Sequence, residues 1–261
     1  MDRQQMDRQQ MDRQQKNGQQ AGGGLFITAT GTDVGKTYVT GLLIKKLRQA
    51  GYNAGYYKAA LSGTVRVGGS LIPGDADYVN REAELGASAK EMVPYIYENA
   101  VSPHLAAQIE GNPVEMKTVV DGFLRAAKQY DYLTMEGSGG IVCPIRYDGP
   151  KSGEVKIFLE DLIRELNLPS VIVADAGLGT INATVLTAEY MRNRNLEVKG
   201  IILNRCHIGS RMEEDNKKMV EELTKIPVIA CVGEGSKELD TDSGFLAALY
   251  GRQSEKREEW K

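Results

Sequence analysis

The chain has 261 residues, 41% hydrophobic and 26% charged, the ordinary proportions of a globular protein with room for a substantial buried core. Its net charge is −3 with acids and bases mixed along the chain, so there is no basic stripe for nucleic acid, and no apolar run approaches the roughly 18 residues of a membrane span. Cys143, Cys206 and Cys231 are far apart and form no CxxC pair, which excludes a disulfide framework and a zinc site; as small core residues in a chain without an apolar signal segment, they point to a reducing cytoplasm.

Residues 1–24 read MDRQQ three times, then KNGQQ and AGGG. Almost nothing there is apolar, so a tag-like leader is expected, set apart from a single domain over 25–261. Removing residues 1–22 is expected to leave turnover and melting temperature unchanged; a large loss of either would give the repeats a role. Short apolar runs at 25–28, 54–59, 131–136, 170–175, 198–203 and 227–232 predict strands. Leu, Ile, Val and Met at three- and four-residue spacing predict helices at 37–50, 76–86, 114–129, 156–166, 181–194 and 211–224. Strands this short and apolar are buried on both faces, and their alternation with helices predicts an α/β fold: a doubly wound, mostly parallel sheet flanked by helices. Gly- and Ser-rich 60–75 and the stretch 137–155 read as loops beside that sheet.

The segment Thr28-Ala-Thr-Gly-Thr-Asp-Val-Gly-Lys-Thr37 follows the first strand and opens the first helix. Backbone N–H groups of Thr32, Asp33, Val34 and Gly35, with the helix N-terminus behind them, would cradle phosphate oxygens. Lys36 would reach the β- and γ-phosphates, and the Thr37 hydroxyl would ligate Mg²⁺. The strict P-loop pattern has glycine where Thr30 stands, so an ordinary glycine turn is the competing reading, and the strand-loop-helix setting favours phosphate.

The loop ATGTDVGKT resembles the nucleotide loop of the dethiobiotin synthetases, and further matches follow in family order. They are Tyr57-Lys58-Ala-Ala-Leu-Ser62-Gly63, Gly74-Asp75-Ala76, Ser102-Pro103-His104, Glu136-Gly-Ser-Gly-Gly140, Gly177-Leu-Gly-Thr-Ile-Asn182 with Leu186-Thr-Ala188, and Asn204 closing a strand. Ala29 and Ala59 depart from the usual glycine and proline, and Asp33 stands where many members carry Glu. The resemblance spans essentially all of 25–232. It implies ATP- and Mg²⁺-dependent conversion of 7,8-diaminopelargonic acid and CO₂ to dethiobiotin, ADP and phosphate, in a homodimer with its site near the subunit interface.

That chemistry, through a carbamate and a carbamic–phosphoric anhydride, depends on positioning and charge stabilisation. It needs two lysines around migrating negative charge: Lys36 at the γ-phosphate and Lys58, at the end of the second strand, at the carbamate. Thr37, Asp75 and Glu136 supply the hard oxygens Mg²⁺ prefers, with Asp77 the alternative to Asp75, and a helix cap or surface acid the alternative for Glu136. Thr32, Lys58, Ser62 and the glycines Gly137, Gly139 and Gly140 would face the substrate. The 147–155 loop and the helix expected at 156 would offer N–H groups to its carboxylate. Asn204 would pair with adenine, or is simply a turn residue. His104 reads as a capping or packing group, and His207 as exposed and unpartnered. The rivals are an amide synthase, which needs an ammonia source for which no room is expected after residue 232, and a switch-type partitioning or metal-insertion ATPase, which usually carries an early loop lysine absent here. A bare nucleotide-binding module would not need Lys58.

Overall fold

The computed structural model describes residues 23–151 and 153–252; the MDRQQ repeats lie outside the described residues. The chain begins with β1 (Gly23–Ala29), α1 (Lys36–Gln49), β2 (Ala54–Lys58), β3 (Ala60–Leu61), β4 (Val65–Val67) and β5 (Ser70–Ile72). It continues through α2 (Gly74–Glu82), α3 (Ala89–Met92), β6 (Tyr95–Ile96), α4 (Pro103–Glu110), α5 (Met116–Ala127) and β7 (Tyr132–Glu136). Next come β8 (Pro144–Tyr147), β9 (Lys156–Phe158), α6 (Leu159–Leu166), β10 (Ser170–Asp175) and α7 (Thr180–Asn193). It ends with β11 (Val198–Cys206), α8 (Arg211–Thr224), β12 (Val228–Gly233), α9 (Ser243–Ala248) and β13 (Gly251–Arg252).

The six expected strands form one parallel sheet in the order β12-β11-β10-β1-β7-β2, and β13 adds antiparallel to the start of β1. Strand alternation splits the core between the two faces. Leu25, Ile27 and Ala29 pack with Val39, Leu42 and Leu47 of α1, Val79 of α2 and Leu246 of α9. Phe26 packs on the other face with Phe123 of α5, Leu162 of α6, Met191 of α7 and Val220 of α8. The helix that carries β1 out to β2, α1, therefore lies on one face with α2, and the helices that lead into the returning strands, α5, α6, α7 and α8, lie on the other, as a constant crossover hand requires. β1 and its neighbour β7 send their chains to opposite faces, which opens a crevice at their carboxyl ends.

Several boundaries differ from expectation for local reasons. β1 starts at Gly23, because Gly23 and Gly24 pair with both Tyr132–Leu133 and Gly251–Arg252. The helix expected from 156 starts at Leu159: Lys156–Phe158 pairs with β8, and the Asp161 carboxylate caps the Phe158 N–H at 2.8 Å. The expected loop 60–75 holds β3, which pairs with β6, and the β4–β5 hairpin. α2 begins two residues early, with Asp75 and Asp77 in its first turn, where negative charge suits the helix dipole. None of the three cysteines is a core residue: Cys143 and Cys206 are half-buried and Cys231 is exposed.

Candidate active site

The phosphate loop leaves β1 at the crevice, its first residue tied by the Thr30 N–H to Val173 O at 3.0 Å. Asp33 (φ 61°) and Gly35 (φ 90°) turn the chain left-handed into α1, whose N-terminus has no side-chain cap. Uncapped N–H groups at a helix start are an anion site. Asn204, buried at the end of β11, donates through Nδ2 to Val34 O at 2.9 Å and so braces the loop. A Cβ on Gly35 would stand 2.0 Å from that Nδ2. Gly35→Ala is therefore expected to disrupt both brace and backbone and to abolish nucleotide binding in a fluorescent-nucleotide titration; unchanged affinity would show that the loop does not depend on this glycine.

Parallel pairing puts Lys58 of β2 directly opposite Glu136 of β7, and Ile27 of β1 opposite the same Glu136. Glu136 is 1% exposed, a burial that a carboxylate tolerates only with partners. Its Oε1 accepts from Lys58 Nζ at 2.7 Å and from Thr37 Oγ1 at 2.8 Å, and Oε2 accepts from the Tyr56 hydroxyl at 3.2 Å. Lys58 also donates to Asp75 at the start of α2, at 2.6 Å. Burial pulls the Lys58 pKa down, but Glu136 and Asp75 outweigh it and leave the pKa raised, so the ammonium stays charged. Burial pushes the Lys36 pKa below its usual value against the pull of Glu136. Among the described residues the Lys36 ammonium has no hydrogen-bond partner and is available to an anion. Burial, reinforced by Glu136, raises the Tyr56 pKa well above normal and keeps the phenol a neutral donor.

Lys36, Thr37, Lys58, Asp75 and Glu136 line a cleft of about 580 Å³. Of the residues expected at the site, Thr32, Asp33, Gly35, Lys36, Thr37, Lys58, Ser62, Asp75, Glu136 and Gly139 line it. Asp75 reaches Lys58, whereas Asp77 turns away to Arg81 at 3.1 Å. Gly137 does not line the cleft: its N–H is committed to Ile27 O at 2.9 Å, and a Cβ there would press on Leu159 and Phe26, so it is a packing glycine rather than a backbone donor. Gly140 lies against Ala29 O and Gly31, Val34 is held through its carbonyl, and Asn204 spends its amide on the loop; none of the three is part of the cleft wall. His104 stays beside Ser102 Oγ at 3.0 Å, and His207 is exposed but has a partner, Glu213 Oε1 at 2.8 Å. The structure adds Tyr38, Leu61, Tyr78, Ser138 and Arg205 to the wall. Tyr38 follows the phosphate-loop motif and Tyr78 lies two residues beyond Ala76; both read in sequence only as aromatics of expected helices, and Arg205 has no signal beyond following Asn204.

A parallel sheet whose first strand feeds a phosphate loop at its switch point, with lysine and carboxylate at the next strand ends, defines a P-loop nucleotide-dependent enzyme. A family model described as an AAA domain matches residues 23–239. The chain is 56% identical over 216 residues to the ATP-dependent dethiobiotin synthetase BioD of Brachyspira hyodysenteriae, covering 83% of this chain and 94% of that protein. It is 45% identical over 227 residues to the protein of the same name from Clostridium botulinum, covering 87% of this chain and 97% of that one. Among solved structures it is similar to the ParA family ATPase of Chlorobium tepidum, with a TM-score of 0.48 and 16% identity over 83% of this chain and 86% of that one. The chain belongs to the dethiobiotin synthetase family.

Proposed function

We propose that the cleft catalyses ATP-dependent ring closure of 7,8-diaminopelargonic acid with CO₂ to dethiobiotin, in the cytoplasm and as a homodimer. The observation that carries this reading is the meeting of Lys58, Glu136 and Asp75 with Lys36 and Thr37 in one cleft, in a chain of this family. One substrate amine adds to CO₂ and loses a proton, giving a carbamate. A carbamate oxygen attacks the γ-phosphorus of ATP, forming the mixed anhydride and releasing ADP. The second amine attacks the carbamate carbon, and phosphate leaves as the ureido ring closes. Lys36 holds the γ-phosphate as charge moves onto it, and Lys58 faces the carbamate. Both act by fixed positive charge.

The donor set fits Mg²⁺: a hydroxyl on Thr37 and carboxylates on Asp75 and Glu136, all hard oxygens; the two carboxylates already share one cation, the Lys58 ammonium, and the hydroxyl lies against Glu136 Oε1. Those three residues would hold the ion, which when bound draws charge from the phosphate oxygens. The test is ADP release by the purified chain with Mg²⁺-ATP and bicarbonate. Release that rises on adding the diamine is expected; release indifferent to the diamine would overturn the reading in favour of a switch-type ATPase.

A further inference from the structure

Among the described residues, six other than glycine adopt positive φ. Four of them follow helix ends, where a left-handed residue closes the last turn: Glu84 after α2, Asn167 after α6, Asn195 after α7 and Lys225 after α8. The other two, Asp33 (φ 61°) and Arg205 (φ 59°), end no helix, stand 172 positions apart and are hydrogen-bonded to one another. A left-handed conformation at a residue without special tolerance for it is strained, and persists where its surroundings hold it, often beside a ligand.

Arg205 is the extra residue of a bulge in β11, where pairing with β12 passes from Asn204–Val232 to Cys206–Gly233. The bulge turns its side chain to the cleft wall. One arm of the guanidinium donates to the Asp33 carbonyl oxygen, and the other to the Asp175 carboxylate at 2.8 Å. Asp175 is itself fixed. Its Oδ1 accepts from the Gly177 N–H at 2.8 Å, and the buried Asn216 of α8 donates to the carbonyls of Ala176 and Gly177 at 2.9 and 3.1 Å. The phosphate loop is thus tied on one side through Asn204 to Val34 and on the other through Arg205 to an anchored turn.

We propose that Arg205 is a positioning residue for the nucleotide: by clasping the Asp33 carbonyl to Asp175 it holds the phosphate loop in its left-handed form before the nucleotide arrives. The inference rests on the proposed use of ATP in this cleft. A loop that must be ordered at each binding event weakens affinity without changing the chemistry that follows. Arg205→Gly removes the guanidinium while relieving the positive φ, so the variant is not penalised in folding at that position. It is expected to raise the KM for ATP and the dissociation constant for ADP about tenfold, the effect of one charged hydrogen bond, while kcat and the KM for the diamine stay close to wild type. Asp175→Asn keeps an acceptor for the Gly177 N–H but removes the charge facing Arg205. It is expected to shift nucleotide affinity in the same direction by less, and to add little when combined with Arg205→Gly. Unchanged KM for ATP in a folded Arg205→Gly variant, or a loss confined to kcat, would overturn the clasp while leaving the proposed function intact. A wild-type chain without diamine-dependent ADP release would overturn the proposed function, and the clasp with it.

Discussion

Replacing Lys58 with alanine is expected to lower the rate of dethiobiotin formation by about two to three orders of magnitude, the scale seen when one fixed charge-stabilising donor is removed from an active site. The substrate carbamate loses its cation in a cleft where no other group replaces it: Lys36 is committed to phosphate in the proposed mechanism, and Arg205 is engaged by Asp33 and Asp175. The same substitution strips Glu136 of its buried counterion at 2.7 Å. Breaking a buried pair by removing one partner destabilises by about 3–5 kcal/mol, because the remaining charge is left uncompensated. The nucleotide-free variant should therefore melt well below wild type, and Mg²⁺ should recover part of the difference by supplying a cation to Glu136 and Asp75. Steady-state kinetics together with thermal melts with and without Mg²⁺ check both halves. Near-normal turnover would remove Lys58 from the chemistry; a loss of stability alone would leave it as a structural ion-pair partner.

Glu136→Gln has the second largest expected effect, and a different signature. Glutamine keeps an acceptor for Thr37 and Lys58 and nearly the same shape, so the packing at the end of β7 survives. What disappears is the negative charge. Lys58, 3% exposed, is then left with Asp75, whose side chain is 41% exposed and screened by water. The Mg²⁺ concentration for half-maximal activity should rise by more than the roughly 10–100-fold that even an outer-shell partner of a metal site contributes. An Mg²⁺ titration of activity measures it. An unchanged midpoint would mean that Glu136 serves only to hold Lys58 and that the ion is held by other groups.

The main sheet is readable in sequence because its strands are apolar over their whole length, so β1, β2, β7, β10, β11 and β12 stand out as runs between amphipathic helices. Lys36, Thr37, Lys58 and Glu136 are readable because each closes such a run or opens the helix after it, and strand ends are where the parallel register brings residues together. Periodicity is silent on pieces of two to four residues, so β3, β8 and the β4–β5 hairpin are hidden inside expected loops, β6 falls in a stretch with no expected element, and β9 falls inside the start of an expected helix. Contacts between distant parts of the chain are equally hidden. Tyr56 reads as one more apolar strand residue, yet its hydroxyl reaches Glu136, and Arg205 gains its place from a bulge and from an Asp33 carbonyl 172 residues away. Glycines mislead in the opposite sense. Gly137 sits inside a ligand-like glycine run, but its missing side chain makes room for Leu159 and Phe26, and its N–H belongs to β1.

The most direct measurement is mass detection of the product formed from 7,8-diaminopelargonic acid, Mg²⁺-ATP and ¹³C-bicarbonate by the purified chain. Ring closure in this cleft predicts dethiobiotin carrying one labelled carbon, formed in step with ADP and absent when ATP or the diamine is omitted. Steady ADP release with no labelled dethiobiotin would contradict it, and would leave a phosphate loop that hydrolyses ATP for some other end.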